Sequence, residues 1–325
     1  MNKISSTSRK EKFKTFCELN PLPIYVQDWY LDLVCGSDNW DVCVVERGAN
    51  IAAVLPYYLK KNRLFRWIAM PQLSKLHGPY LSPRYQQPNY HHSIVDELIE
   101  QLPEVNFYQQ GLSYGFKNWL PYLWKGFSQV TLYSYIFREL DCDKILVNMD
   151  ADCRRRIKKS EGKFQLRTDL DAQTFYALLG KTFGRQNLPA PFTESFFLNY
   201  HKELSQHVAG RILSIHNMEG EVQCAAFIVW DSSSVYYLLE ASDPELQDRN
   251  AGIYMKWRTI KYTKEILNIS RFDFEGSISK RIEKIYREFG AEAEPYFVIK
   301  KYYSKKFLFL KFIQNYKQYG KLVQW

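Results

Sequence analysis

The sequence predicts an α/β protein of two similar halves, each a mixed, mostly antiparallel sheet flanked by helices. Three observations carry this. Pairs of apolar runs joined by a short polar turn occur twice, at residues 41–59 and 210–230. Each pair is followed by helical and strand-like segments in alternation. At 325 residues, with 46% hydrophobic and 24% charged, the chain is long enough for two cores and too apolar for disorder.

Residues 1–39 form a lead segment. Residues 41–46 (DVCVVE) predict a strand, Arg47-Gly48-Ala49-Asn50 a turn, and residues 51–59 the returning strand. Residues 66–69 add a third strand. His77-Gly78-Pro79 and Ser82-Pro83 break the chain before a helix at 93–102 and strands at 105–109 and 130–138. The second half repeats this plan. Helices at 172–183 and 194–204 lead to a strand at 210–216, the turn Asn217-Met218-Glu219-Gly220, and strands at 222–230 and 234–241. The repetition implies an internal duplication, with halves at 40–150 and 151–300 and a basic, aromatic tail at 301–325.

After the strand at 234–241 a polar loop opens a helix whose Ile253, Met255, Trp257, Ile260 and Ile266 are expected core positions, with Asn250 as N-cap. Backbone N–H groups at such a loop, together with the helix dipole, suit a phosphate. Gln247, Arg249, Asn250, Ala251 and Gly252 form the expected cradle. Residues 272–275 then alternate Phe272 and Phe274 with Asp273 and Glu275, a half-buried strand with two carboxylates on one face. Gly276 ends it, Ser279 caps a helix carrying Ile282, Ile285, Tyr286 and Phe289, Gly290 stops that helix, and 296–299 is a strand.

The net charge of +9 is concentrated in two places. Residues 154–167 hold seven Arg or Lys against Glu161 alone, and the chain from Lys300 onward holds no acid. Such clusters suit phosphates, nucleic acid or an anionic membrane. The six cysteines show no paired spacing, so neither a disulfide framework nor a zinc site is expected, and no metal is assigned. The polar start and the lack of a long apolar run point to a cytoplasmic protein, with contact at the inner face of the membrane as an option.

The order hairpin, strand, phosphate-type loop, helix, strand, helix, strand resembles the GNAT acyltransferase superfamily. More narrowly, it resembles the Fem-type peptidoglycan aminoacyltransferases, which carry a double GNAT fold. The matching residues are Asp273-Phe274-Glu275-Gly276-Ser277, Phe289-Gly290-Ala291, Pro295-Tyr296-Phe297 and the basic Cys153-Arg154-Arg155-Arg156-Ile157-Lys158-Lys159-Ser160. In the first half they are Trp40 to Glu46, Leu55-Pro56-Tyr57-Tyr58 and His77-Gly78-Pro79.

The resemblance implies acyl transfer from an activated donor to an amine, which asks for a donor slot, an oxyanion stabiliser and a proton acceptor. It implies an oxyanion-stabilising N–H at a strand splay near Leu239 to Ala241, with Glu240 as first candidate base and Asp273 and Glu275 as further ones. Tyr286 or Tyr254 protonates the leaving group. Arg154, Arg155, Lys158, Tyr57 and His77 are the expected substrate-binding residues. No tightly bound cofactor is implied. The donor is acyl-CoA, with aminoacyl-tRNA as the alternative because the loop 247–252 keeps a single glycine. The acceptor is a small-molecule or sugar-linked amine on a cell-envelope or polysaccharide precursor. A reading of another class, a non-catalytic binder of RNA or of a membrane surface through the tail at 307–313, also stands.

Overall fold

The computed structural model describes residues 6–185, 187–246, 248–276 and 279–319, so the expected site residue Gln247 and the motif residue Ser277 lie outside the described residues. The chain forms two compact units, residues 1–132 with 295–325, and residues 133–294. These bounds differ from the expected halves. The lead segment packs onto unit 1, where Phe13 meets Trp40 edge-on at 5.7 Å, and the chain returns to unit 1 at its end.

Unit 1 begins with α1 (Ser6–Leu19) and α2 (Asp28–Cys35). The predicted hairpin follows as β1 (Trp40–Arg47) and β2 (Asn50–Lys61), antiparallel, with a positive φ at the turn residue Gly48. Next come β3 (Arg66–Ala69), β4 (Tyr80–Leu81), α3 (Pro88–Glu100), β5 (Phe107–Gly111) and α4 (Leu120–Trp124). Both β3 and β4 pair antiparallel with β2, whereas β5 runs parallel to β3. Val45, Ala53, Leu55, Ile68, Leu98 and Tyr108 lie in one apolar core, the largest favourable contribution to this unit's stability.

β6 (Ser128–Phe137) carries the chain into unit 2. There follow α5 (Cys142–Asn148), α6 (Ala151–Ser160), β7 (Gln165–Arg167), α7 (Ala172–Gly184) and α8 (Glu194–Gln206). The strands β8 (Gly210–His216), β9 (Val222–Trp230) and β10 (Ser234–Ala241) match the sequence expectation residue for residue, and all pair antiparallel. α9 (Ala251–Glu265), β11 (Arg271–Asp273) and α10 (Lys280–Glu288) complete the unit. β9 is buried almost throughout because both its faces are covered. Phe227 packs against Phe175, Phe197 and Tyr200 of α7 and α8, while Cys224, Ala226 and Ile228 join Ile253, Met255 and Ile260 of α9. The chain then returns through β12 (Glu292–Tyr302), antiparallel to β5, and ends the described region with α11 (Lys305–Tyr319).

The two units repeat one pairing scheme. Along β1-β2-β3-β5-β12 the pairings are antiparallel, antiparallel, parallel, antiparallel, and β8-β9-β10-β11-β6 gives the same series. The last strand of each repeat is exchanged: β6 follows β5 yet pairs with β11, and β12 follows β11 yet pairs with β5. Two tandem, similarly wound α/β domains are thus present. Among the described residues no helix is long and apolar enough to cross a membrane.

Candidate active site

Unit 2 holds a cleft of about 1080 Å³ between the end of β10, the start of α9 and α10. Its origin is a divergence of strands. The parallel pair β10 and β11 is in register only over Ser234 to Tyr236 against Arg271 to Asp273. β11 ends there, but β10 continues to Ala241 along β9, with a bulge between Tyr237 and Leu239 that re-aims its backbone. Leu238, Leu239 and Glu240 therefore face the opening, whereas Ala241 is fully buried.

Glu240 is engaged at one carboxylate oxygen. Its Oε2 accepts from the Lys256 ammonium and from the Tyr237 hydroxyl, and Oε1 has no partner among the described residues. The Lys256 side chain is only 8% exposed and that of Glu240 31%, so the pair sits at the cleft wall, with Lys256 Nζ also 3.3 Å from the Gly252 carbonyl and 5.4 Å from the Tyr237 ring. Lys256 was not among the residues the sequence singled out. It lies among the buried residues of α9, and its signal was a cation between the apolar Met255 and Trp257.

The opposite wall is aromatic. Phe274 and Tyr286 stack at 4.5 Å with planes 21° apart. Burial, reinforced by the negative charge of Glu240, raises the Tyr286 and Tyr237 phenols, which hold their protons at neutral pH. Tyr254, the other expected acid, is buried against Phe164, its hydroxyl accepting from Arg258.

Asp273 and Glu275 do not share a face as alternation predicted. β11 stops at Asp273, which is fully buried and accepts from the Ser134 hydroxyl and the Glu275 amide at 2.7 Å. Glu275 takes a left-handed backbone, φ 65°, followed by Gly276 at 70°, and lines the cleft. Of the two acids only Glu275 lines the cleft.

The expected phosphate cradle is smaller than predicted. Asn250 and Ala251 donate their amides to Asp248, through its Oδ1 at 2.7 Å and its carbonyl at 2.9 Å, so this acid satisfies two donors that a phosphate would need. The Asn250 side chain does not cap α9; its Oδ1 accepts from Arg156 Nε at 3.0 Å. Gly252 and Ile253 line the cleft, and their amides have no acceptor among the described residues. They remain the donor pair at this helix start.

Beside the cleft lies a basic annex of about 470 Å³, lined by Arg155, Arg156, Lys159, Arg249 and Arg281 with Asp152 and Asn250. Arg156, Arg249 and Arg281 line both cavities. Arg155 pairs with Asp152, but Lys159, Arg249 and Arg281 have no ion-pair partner among the described residues. α6 thus delivers part of its expected basic face. Arg154, by contrast, donates to the carbonyls of Leu146 at 3.3 Å and Met149 at 2.8 Å and so closes the C-terminal end of α5. Lys158 is exposed and lies outside both cavities. Tyr57 and His77 are buried in unit 1, and both ring nitrogens of His77 lack partners among the described residues. Burial at these two positions leaves no surface for a substrate.

Residues 148–294 match the family model of the acetyltransferase (GNAT) domain, a span that contains the cleft and the annex. No curated protein matches the chain by sequence. Three solved structures are similar along nearly their whole length. FemX is 12% identical, covering 98% of this chain and 99% of its own, with a TM-score of 0.67. L-PGS from Bacillus licheniformis is 11% identical over 98% and 99%, with a TM-score of 0.55. A tandem GNAT protein from the clavulanic acid biosynthesis pathway is 11% identical over 92% and 95%, with a TM-score of 0.52.

Proposed function

We propose that this chain, a double-GNAT, Fem-like fold with an acetyltransferase domain at residues 148–294, is an N-acyltransferase that works in the unit 2 cleft. The donor is an acyl group on a phosphate-bearing carrier. The observation that carries this is the diverging, bulged end of β10, where a Glu–Lys pair stands beside two amides that have no acceptor among the described residues and beside a cationic annex.

The donor's acyl carbon sits at the divergence, where a backbone N–H of β10 near Leu239 stabilises the oxyanion. The acceptor amine attacks this carbon, forming the N–C bond. Its surplus proton passes to Glu240 Oε1, directly or through one water, while Lys256 and Tyr237 fix the carboxylate through Oε2. The carbon–sulfur bond of a thioester then breaks, and Tyr286 donates its phenolic proton to the departing thiolate. Solvent returns Glu240 and Tyr286 to their starting states.

Acyl-CoA is the favoured carrier, its phosphates held by Gly252, Ile253, Arg249 and Arg281. A specific observation supports aminoacyl-tRNA as the second reading: Asp248 occupies part of the phosphate loop, while Lys159, Arg249 and Arg281, which have no ion-pair partner among the described residues, continue into the annex, as a longer polyanion requires. The acceptor is an amine on a cell-envelope or polysaccharide precursor, in keeping with the Fem-like fold. Thermal unfolding with acetyl-CoA, and separately with charged and uncharged tRNA, distinguishes the carriers. A rise in midpoint with acetyl-CoA supports the first reading and a rise with charged tRNA alone the second. No shift with either would remove the donor assignment.

A further inference from the structure

α11 meets the rest of unit 1 through Phe307. That ring is buried, stacked on Phe107 at 5.5 Å and edge-on to Phe65 at 5.3 Å, with Trp67 at 5.7 Å. The other large apolar side chains of its first turns are not covered: Phe309 is 63% exposed and Phe312 51%, and Leu308 and Leu310 are also exposed. At 100° per residue Phe309 lies nearly opposite Phe307, flanked by Phe312 and Ile313. Lys305 and Lys306 fall on the same outward arc, and neither has an ion-pair partner among the described residues. No acid follows Glu294 in the sequence.

An outward arc that alternates large apolar side chains with lysines, and holds no acid, matches one kind of surface. We infer that the outer face of α11 docks on an anionic lipid surface, Phe309 and Phe312 entering the acyl boundary while Lys305 and Lys306 extend to headgroup phosphates. A second copy of the chain is a poorer occupant, because joining two such faces brings lysines against lysines with no carboxylate between them. The inference does not depend on the acyl-transfer reading, since it concerns unit 1 and needs no donor.

The test is co-sedimentation of the full chain with vesicles of phosphatidylcholine containing one quarter phosphatidylglycerol, against pure phosphatidylcholine. The chain is expected to sediment with the anionic vesicles and be released by raised salt. Lys305→Gln with Lys306→Gln should weaken partition by about 25-fold, roughly fivefold for each lysine. Phe309→Ser with Phe312→Ser should weaken it by about tenfold or more. All four side chains are exposed, so the thermal midpoint should stay unchanged, which separates lost docking from lost fold. Absence of binding to anionic vesicles, or unchanged binding by either double variant, overturns the inference. So does a chain that is dimeric in solution and becomes monomeric with Phe309→Ser and Phe312→Ser, which would make this face a contact between copies.

Discussion

Replacing Glu240 by Gln tests the cleft chemistry and the pair that holds it together. Gln keeps the shape of the side chain and loses the basic oxygen, so the amine proton has no acceptor. General-base contributions of this kind amount to about 10²–10⁴ in rate, or roughly 3–5 kcal/mol on the barrier. The substitution also strands the Lys256 ammonium, whose side chain is 8% exposed, without its counter-charge. Breaking a fully buried pair costs about 3–5 kcal/mol; here Glu240 keeps 31% exposure and Lys256 keeps the Gly252 carbonyl, so about 1–3 kcal/mol is expected. Adding Lys256→Met removes the stranded charge, and the double variant should regain most of the lost stability without regaining activity. The assay is release of free thiol from acyl-CoA at saturating amine, alongside denaturant midpoints of the single and double variants. Full turnover by Glu240→Gln, or restored turnover in the double variant, would refute the assigned role.

Three further outcomes follow from particular contacts. Arg154→Ala should destabilise the chain by about 1–2 kcal/mol by opening the end of α5 and leave donor affinity unchanged, whereas Arg281→Gln should weaken donor binding and leave the unfolding midpoint in place; calorimetric titration and thermal melting separate them. Gly276→Ala places a Cβ 2.4 Å from the Tyr133 carbonyl oxygen at φ 70° and should cost about 2 kcal/mol or more, read as a lowered denaturant midpoint. His77, pushed down to about 3 by burial, stays neutral in the fold while the unfolded chain takes up its proton near pH 6.5. Stability from this group is therefore intact above pH 6.5 and falls as pH drops toward 3, by at most about 1.4 kcal/mol per unit. A His77→Phe variant should show a shallower loss across that window, and identical pH profiles would contradict the burial argument.

Local pattern was enough to locate β8, β9 and β10, where a turn with Gly220 separates β-branched and aromatic runs. It failed where long-range partners decide. The exchange of β6 and β12 depends on pairings more than a hundred residues apart, which no local period encodes. Alternation placed Asp273 and Glu275 together because it assumed that the strand ran on to Gly276. The backbone instead turns left-handed at Glu275, and Asp273 goes to Ser134. Arg154 and Arg155 look alike in sequence; the single residue step between them, about 100° around α6, sends the first to the carbonyls ending α5 and the second to the annex. Glu240 was identified from the resemblance, but its lysine was not, since Lys256 is one of several cations on α9 and reads as an ordinary polar position until the strand beside it is known.

The most direct test of the account is a structure of the full chain with a thioether analogue of acyl-CoA. The acyl carbon is expected at the divergence of β10 and β11 beside Leu239 and Glu240, with phosphates on the Gly252 and Ile253 amides and on Arg249 or Arg281. An analogue bound outside the unit 2 cleft, or one bound in it with its acyl group remote from Glu240, would contradict it.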